Sequence, residues 1–169
     1  MKKIYTKLVS FLLWHFVHIF GFRTRIIWTG GEKYLLRFYI KKVGKYPGVY
    51  LHHFFMSDQD RDLHNHPWFN AKSLILCGAY SEERLLSDKK YISKKEYHAG
   101  MINKIEFTDF HRVELLEGPV WTLFMARKTF QTWGFWDMEN KKFIPWNEYV
   151  DSHGNFITDI NGNLSELYD

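Results

Sequence analysis

The chain has 169 residues, of which 46% are hydrophobic and 19% aromatic, and its net charge is +4. This length and composition suffice to bury the core of one domain, which excludes an intrinsically disordered chain. The excess of positive charge is mild, so no nucleic-acid partner is expected. A single cysteine, Cys77, cannot form an intramolecular disulfide, and we therefore expect a cytoplasmic protein.

An apolar segment follows the lysines at the start of the chain. Residues 8–22 are mostly apolar, but they include His15 and His18 and lack a cleavage site made of small residues, so they do not resemble a signal peptide. The run is also shorter than the roughly twenty residues that a membrane span requires. We predict an N-terminal helix within residues 1–22 that packs on the rest of the protein or contacts a membrane surface.

Beyond residue 22 the pattern becomes typical of an all-β domain. Short runs of branched and aromatic residues alternate with turn residues, which predicts an antiparallel barrel or sandwich over residues 23–151 and a polar C-terminal segment over 152–169. Gly30 and Gly31 suit a hairpin turn, Gly118-Pro119 predicts a turn between two strands, and residues 160–163 allow another hairpin. The predicted strands are 26–28, 34–41, 49–56, 73–84, 101–107, 111–116, 120–127 and 132–136.

Three histidines have the spacing of metal ligands. His64 and His66 are two residues apart, and on a strand such residues point to the same face. His111 begins another predicted strand and could complete the site from there. Neutral imidazoles bind iron, zinc, nickel or copper, and three of them leave open positions for water or substrate. Hydrogen-bonded or surface histidines remain the alternative.

Residues 51–136 resemble the cupin superfamily. The superfamily has two sequence motifs. The first is matched by His64, His66 and Gly78, and the second by Gly100 and His111. The resemblance implies a cupin-type antiparallel β-barrel or jelly roll with these three histidines as ligands. The chain departs from the motifs in several places. Asp58 replaces a Gly, Ala71 replaces the usual Glu ligand, Glu106 replaces a Pro, Thr108 replaces a Gly, and Leu115 replaces an Asn.

The absence of a carboxylate ligand affects which metal and which reaction are expected. Three neutral histidines leave the charge of a divalent ion uncompensated, which favours an anionic ligand. Cysteine-dioxygenase-like members of the superfamily use such a three-histidine iron site. The resemblance thus implies one divalent ion, with Fe(II) first and Zn, Ni or Mn as alternatives, and a dioxygenase-type reaction on a small polar substrate. The sequence also resembles bacterial and phage cupin-like proteins that have no established activity to transfer.

Candidate residues for binding a substrate are cations and aromatics near the predicted site. Arg84 and Arg127 end predicted strands and could pair with a carboxylate, although a surface ion pair is the alternative for each. Trp68 adjoins the histidine loop, and Trp121 lies on a later strand. Both could line a pocket, and both could equally be core residues.

Candidate catalytic groups are Tyr80 and one histidine of an adjacent pair. His52 and His53 face opposite sides of a strand, so one of them should point inward, and we take His53 as the candidate acid or base. A hydrogen-bonded core histidine is the alternative. Two other functions stay open: a non-catalytic module that binds a small ligand, and a sugar-nucleotide isomerase or epimerase. A homodimer formed through exposed strand edges is also possible.

Overall fold

The protein is represented by a computed structural model that describes residues 2–29, 31–43, 46–58, 62–86, 91–153 and 156–158. In these ranges it contains two helices and eleven strands. The helices are α1 (Lys2–Ile19) and α2 (Trp146–His153). The strands are β1 (Thr24–Thr29), β2 (Glu32–Val43), β3 (Tyr46–Phe54), β4 (Leu63–His64), β5 (Asn70–Leu85), β6 (Ile92–His98), β7 (Ile102–Glu106), β8 (His111–Ala126), β9 (Gly134–Asp137), β10 (Lys142–Pro145) and β11 (Phe156–Thr158).

The strands form one antiparallel sheet that curls into a half-barrel, which confirms the predicted all-β class. Its order is β10-β9-β4-β8-β3-β2-β1-β11, and β5 pairs with β6, β7 and β8. The two longest strands, β5 and β8, have 16 residues each and pair from Ala71 opposite Ala126 to Arg84 opposite His111. On the other edge of β8, β3 pairs with its second half and β4 meets its first residue.

Helix α1 covers the outer face of the sheet, and the predicted N-terminal helix is confirmed. Val17 packs in a core cluster with Phe38, Leu51 and Trp121, all of them buried. The indole Nε1 of Trp121 donates a hydrogen bond to Ser10 Oγ at 2.9 Å, which ties the helix to β8. Neither helix in the described part of the chain has the length and apolarity needed to cross a bilayer.

The inner face of the sheet holds a second apolar layer rich in aromatic rings. Tyr50, Trp68 and Phe124 belong to one buried cluster, and Phe54 and Tyr80 to its neighbour. Because successive residues of a strand point to opposite faces, this layer alternates in sequence with the layer beneath α1. The three histidines lie at the inner face, beside the first of these clusters.

The predicted turn at Gly118-Pro119 is wrong, because both residues lie inside the continuous strand β8. The register between β5 and β8 shifts on either side of Gly78, which has a φ of 76°. A Cβ at Gly78 would lie 2.6 Å from the backbone oxygens of Glu117 and Pro119. A β-bulge built on this glycine thus accommodates Gly118-Pro119 without ending the strand.

Several elements were not anticipated from the sequence. Strand β6 contains the lysine-rich stretch at 93–96, and β10 and α2 follow one another at the end of the domain, after β9, which overlaps the strand predicted at 132–136. Strand β11 pairs with β1, so part of the predicted polar C-terminal segment joins the sheet. The hairpin predicted at 160–163 lies outside the described residues. Cys77 is fully buried, and burial raises the pKa of its thiol to about 11, as expected for an inert cysteine.

Candidate metal centre

The three candidate ligands come together where β4 meets β8. His64 ends β4 and pairs directly with His111, the first residue of β8. His66 follows two residues later, and the three ring centroids lie 4.9 to 5.1 Å apart. One nitrogen from each ring lies within 4.8 Å of the other two. Nε2 of His66 and Nε2 of His111 are 2.9 Å apart. This spacing suits three imidazoles converging on one ion.

Two carboxylates hold the rings of His64 and His111 from behind. Asp58 Oδ2 lies 3.2 Å from Nδ1 of His64, and Glu82 Oε1 lies 2.5 Å from Nδ1 of His111. A carboxylate at Nδ1 keeps the proton on that nitrogen and leaves the Nε2 lone pair free for a metal. The chain therefore supplies negative charge through contacts with the ligand rings rather than at the ligand atoms themselves.

Glu82 is the centre of a buried polar network. Besides His111, its carboxylate accepts hydrogen bonds from Asn103 Nδ2 at 2.7 Å and from an Arg84 nitrogen at 2.8 Å. Asn103 also donates to the hydroxyl of Tyr80 at 3.2 Å. Burial alone would raise the pKa of Glu82, but the neighbouring His111 and Arg84 outweigh it and lower that pKa to about 2. Glu82 is thus an anion at neutral pH.

His66 stands in an aromatic environment. Its ring stacks on Trp68 with centroids 5.0 Å apart and contacts Phe124 edge-on at 6.2 Å. Loss of hydration lowers its pKa well below the usual 6.5, and the neighbouring His111 and His64 lower it further. A neutral imidazole is the form that binds metal ions, so the surroundings of His66 favour its role as a ligand.

A cation next to this cluster was missed in the sequence. Arg37 of β2 donates from Nε to His52 Nε2 at 3.1 Å. Its guanidinium lies 5.2 Å from the ring centroid of Tyr50 and 5.9 Å from that of Trp68, which itself stacks on His66. Burial, and then the charge of Arg37, lower the pKa of His52 well below its usual value. A positive residue inside the apolar run at 35–38 was the signal that could have indicated it.

Of the predicted site residues, Trp68 and Tyr80 lie on the inner face with the histidines. Trp68 contacts His66 directly, while Tyr80 reaches the cluster only through Asn103 and Glu82. Burial raises the pKa of the Tyr80 phenol, so it is a neutral donor or acceptor at ordinary pH. These two residues surround the site rather than forming its ligands.

The structure does not bring the other four predicted residues to the site as free groups. Arg84 is held by Glu82 and by Asp109 Oδ2, at 2.8 Å from each, and Arg127 is exposed at the end of β8. His53 stacks on Trp121 with centroids 4.6 Å apart, beneath α1 on the outer face. Strand alternation explains the correction, because it is His52 that faces inward when His53 faces the helix.

The chain is similar in fold to several solved structures. Hydroxypropylphosphonic acid epoxidase from S. wedmorenis is 15% identical over 61% of this chain and 55% of its own, with a TM-score of 0.45. The Drosophila melanogaster CENP-C cupin domain is 11% identical over 57% of this chain and 69% of its own, with a TM-score of 0.44.

These similarities concern the fold alone. Oxalate decarboxylase from Lactobacillus farciminis in its formate complex is 12% identical over 62% of this chain and 28% of its own, with a TM-score of 0.43. This chain spans little more than half the length of the epoxidase. No protein-family model matches the sequence. No curated protein matches it either. The chemistry of this protein must therefore be argued from its own residues.

Proposed function

We propose that His64, His66 and His111 bind one divalent metal ion, with Fe(II) the first candidate, and that the site oxidises a small anionic substrate with dioxygen. The observation that carries the proposal is the pairing of two of the three rings with Asp58 and Glu82. Hydrogen-bonded core histidines do not need an anion behind each ring, whereas metal-binding histidines use one to orient the ligand nitrogen.

A cation beside the ligand set favours an anionic partner for the ion. Three imidazole ligands would leave open coordination positions on a divalent metal, where it would supply Lewis-acid or redox chemistry. Arg37 adds a second positive charge on the same face, next to Trp68 and His66. A guanidinium matches a carboxylate with two parallel hydrogen bonds. The substrate class that fits is a small carboxylic acid, with a thiol or amine as its second donor.

Around this site the chain's own residues restrict water and set protonation. Trp68, Phe124 and Tyr50 form an apolar wall beside His66 and beneath Arg37. Glu82 holds the proton on Nδ1 of His111, and the low pKa of His66 keeps that ring neutral. His52 is also neutral and accepts from Arg37, which fixes the guanidinium toward the inner face. These residues bind and orient a ligand before any chemistry begins.

The first experiment is elemental analysis of the purified protein, native and as His64→Ala, with His98→Ala as the control. His98 is an exposed histidine that pairs with Glu96 and lies outside the cluster. We expect near-stoichiometric metal in the native and control proteins and loss of it in His64→Ala. Equal metal in all three proteins, or none after anaerobic addition of Fe(II), would refute the site.

A second experiment separates catalysis from binding. Oxygen consumption by the Fe(II)-loaded protein is measured with small thiols and carboxylic acids, and their affinity is measured in parallel by calorimetry. Arg37→Met should weaken carboxylate binding about 10- to 100-fold, the loss of one charge-assisted pair, while metal content stays unchanged. Binding without oxygen uptake would support the non-catalytic ligand-binding module instead. Conversion of a sugar nucleotide that survives chelation of the metal, without oxygen uptake, would favour the isomerase.

A further inference from the structure

The outward face of α1 has the opposite character from that of an ordinary surface helix. A helix that packs on a domain normally buries its apolar stripe and exposes a polar one. Here Thr6 and Val17 are buried, at 5% and 2% exposure, and Val9 and Leu13 are partly buried against the same core cluster as Val17. The face that points away from the sheet carries large apolar side chains as well. They are Ile4 (73% exposed), Leu8 (56%), Phe11 (59%), Leu12 (56%) and Ile19 (78%).

The spacing of these residues makes the exposed surface continuous. Ile4, Leu8 and Leu12 follow one another at four-residue steps, so they lie one above the other along one side of the helix. Phe16 and Phe20 extend the apolar surface at the C-terminal end, where their rings contact each other and Phe22. Eighteen residues correspond to a helix of about 27 Å. Exposed apolar surface of this extent marks an interaction site.

The polar side chains on the outer side of α1 are partly satisfied by the helix itself. Nδ1 of His15 lies 2.8 Å from the carbonyl oxygen of Phe11, and Nδ1 of His18 lies 2.7 Å from that of Trp14. Both bonds reach back one turn. These histidines therefore have a hydrogen bond that does not require water, which lowers the cost of placing this face in an apolar medium.

Charge identifies the partner. The first acidic residue in the sequence is Glu32, whereas Lys2, Lys3, Lys7, Arg23 and Arg25 all precede it. Lys3 and Lys7 are exposed on α1, and Lys7 lines an open apolar groove of about 430 Å³ beside the helix, together with Phe11, Trp14 and Phe55. A second copy docked through α1 would bring like charges together with no acidic residue on the helix to pair with them. An anionic lipid surface offers both an apolar layer and the opposite charge.

We propose that α1 docks the protein on an anionic membrane surface, lying in the interface with its outward face in the acyl layer. Ile4, Leu8, Phe11, Leu12 and Ile19 enter the bilayer, and Lys3 and Lys7 contact the lipid phosphates. The sheet then stands on the aqueous side of the helix, because it packs on the opposite side of α1. The groove beside Lys7 is placed to take part of a lipid chain.

The test is co-sedimentation of the full chain with vesicles of phosphatidylcholine alone or with 30% phosphatidylserine (roughly the anionic share of a cytoplasmic leaflet). We expect binding to the anionic vesicles that weakens with salt, and a loss of at least tenfold in the partition coefficient for the double variant Leu8→Glu/Leu12→Glu. Lys3→Ala and Lys7→Ala should each weaken anionic binding about fivefold. The matched control is Phe130→Glu, because Phe130 is 57% exposed and lies outside α1.

Each alternative result decides against the proposal. Absence of vesicle binding by the native chain overturns it, as does equal binding to both kinds of vesicle or equal loss in the Phe130→Glu control. Sedimentation velocity without lipid tests the second copy: a dimer that becomes monomeric in Leu8→Glu/Leu12→Glu assigns the surface to self-association. Thermal unfolding of each variant shows that it is folded, so that loss of binding reports on the surface alone.

Discussion

Replacing Glu82 by glutamine probes the metal centre without removing a ligand. The substitution keeps the shape of the side chain and its bond from Asn103, but removes the charge that faces Nδ1 of His111 at 2.5 Å. Loss of an outer carboxylate of this kind lowers metal affinity about 10- to 100-fold, which corresponds to about 1.4 to 2.8 kcal/mol. Arg84 keeps its pair with Asp109, so the loss of folding stability should stay within about 1 to 3 kcal/mol.

The neighbouring residue supplies the control. Glu83 follows Glu82 on β5, and strand alternation places it on the other face, where it pairs with Arg112 at 2.6 Å. Calorimetric titration of a divalent ion such as Ni²⁺ into the metal-free proteins gives the affinities. We expect Glu82→Gln to bind the ion 10- to 100-fold more weakly and Glu83→Gln to match the native protein. Equal affinities in Glu82→Gln and native protein, with both folded, would refute the role assigned to this carboxylate.

Two further predictions concern stability. Gly78→Ala should lower the free energy of unfolding by at least about 2 kcal/mol in urea titrations, because its Cβ would meet two backbone oxygens at 2.6 Å. The control is Gly100→Ala, which has a φ of 89° and open space around it and should cost only about 1 kcal/mol. Similar losses in the two variants would contradict the bulge. Burial lowers the pKa of His53 from 6.5 to about 4, so protonation favours the unfolded chain. The stability that the neutral ring contributes is fully present above pH 6.5 and is lost as the pH falls toward 4. His53→Gln should reduce this acid destabilisation by about 2 kcal/mol relative to the native protein, whereas His98→Gln should leave it unchanged. The measurement is the free energy of unfolding as a function of pH, and identical profiles for His53→Gln and the native protein would contradict the role of His53.

Two of the three ligands were accessible from the sequence because they depend on local spacing. His64 and His66 lie two residues apart, which predicted two rings on one side of a strand, although β4 ends at His64 and His66 lies just beyond it. His111 was accessible only through the resemblance, since no local rule brings a residue 45 positions away to His66. The all-β class was equally accessible, because alternating branched and aromatic runs are a local signal.

The groups around the ligands were not accessible, because they depend on register between distant strands. Glu82 contacts His111 because the register between β5 and β8 places Arg84 opposite His111. The choice between His52 and His53 has the same origin: alternation shows that they face opposite sides, but the pairing of β3 with β8 decides which side is inner. The sequence marked Arg37 as a cation in an apolar run, but only the pairing of β2 with β3 showed that it contacts His52.

The bond between Ser10 and Trp121 has a consequence for the newly made chain. Its two ends are 111 residues apart, and at a synthesis rate of about 5 to 20 residues per second the helix waits roughly 6 to 20 s before β8 exists to receive it. During that interval both sides of α1, the one that later packs and the one that stays exposed, face the surroundings as apolar surface. Because α1 is made before β8, the apolar surface of this helix is exposed early, and it packs on the sheet only after β8 has been made.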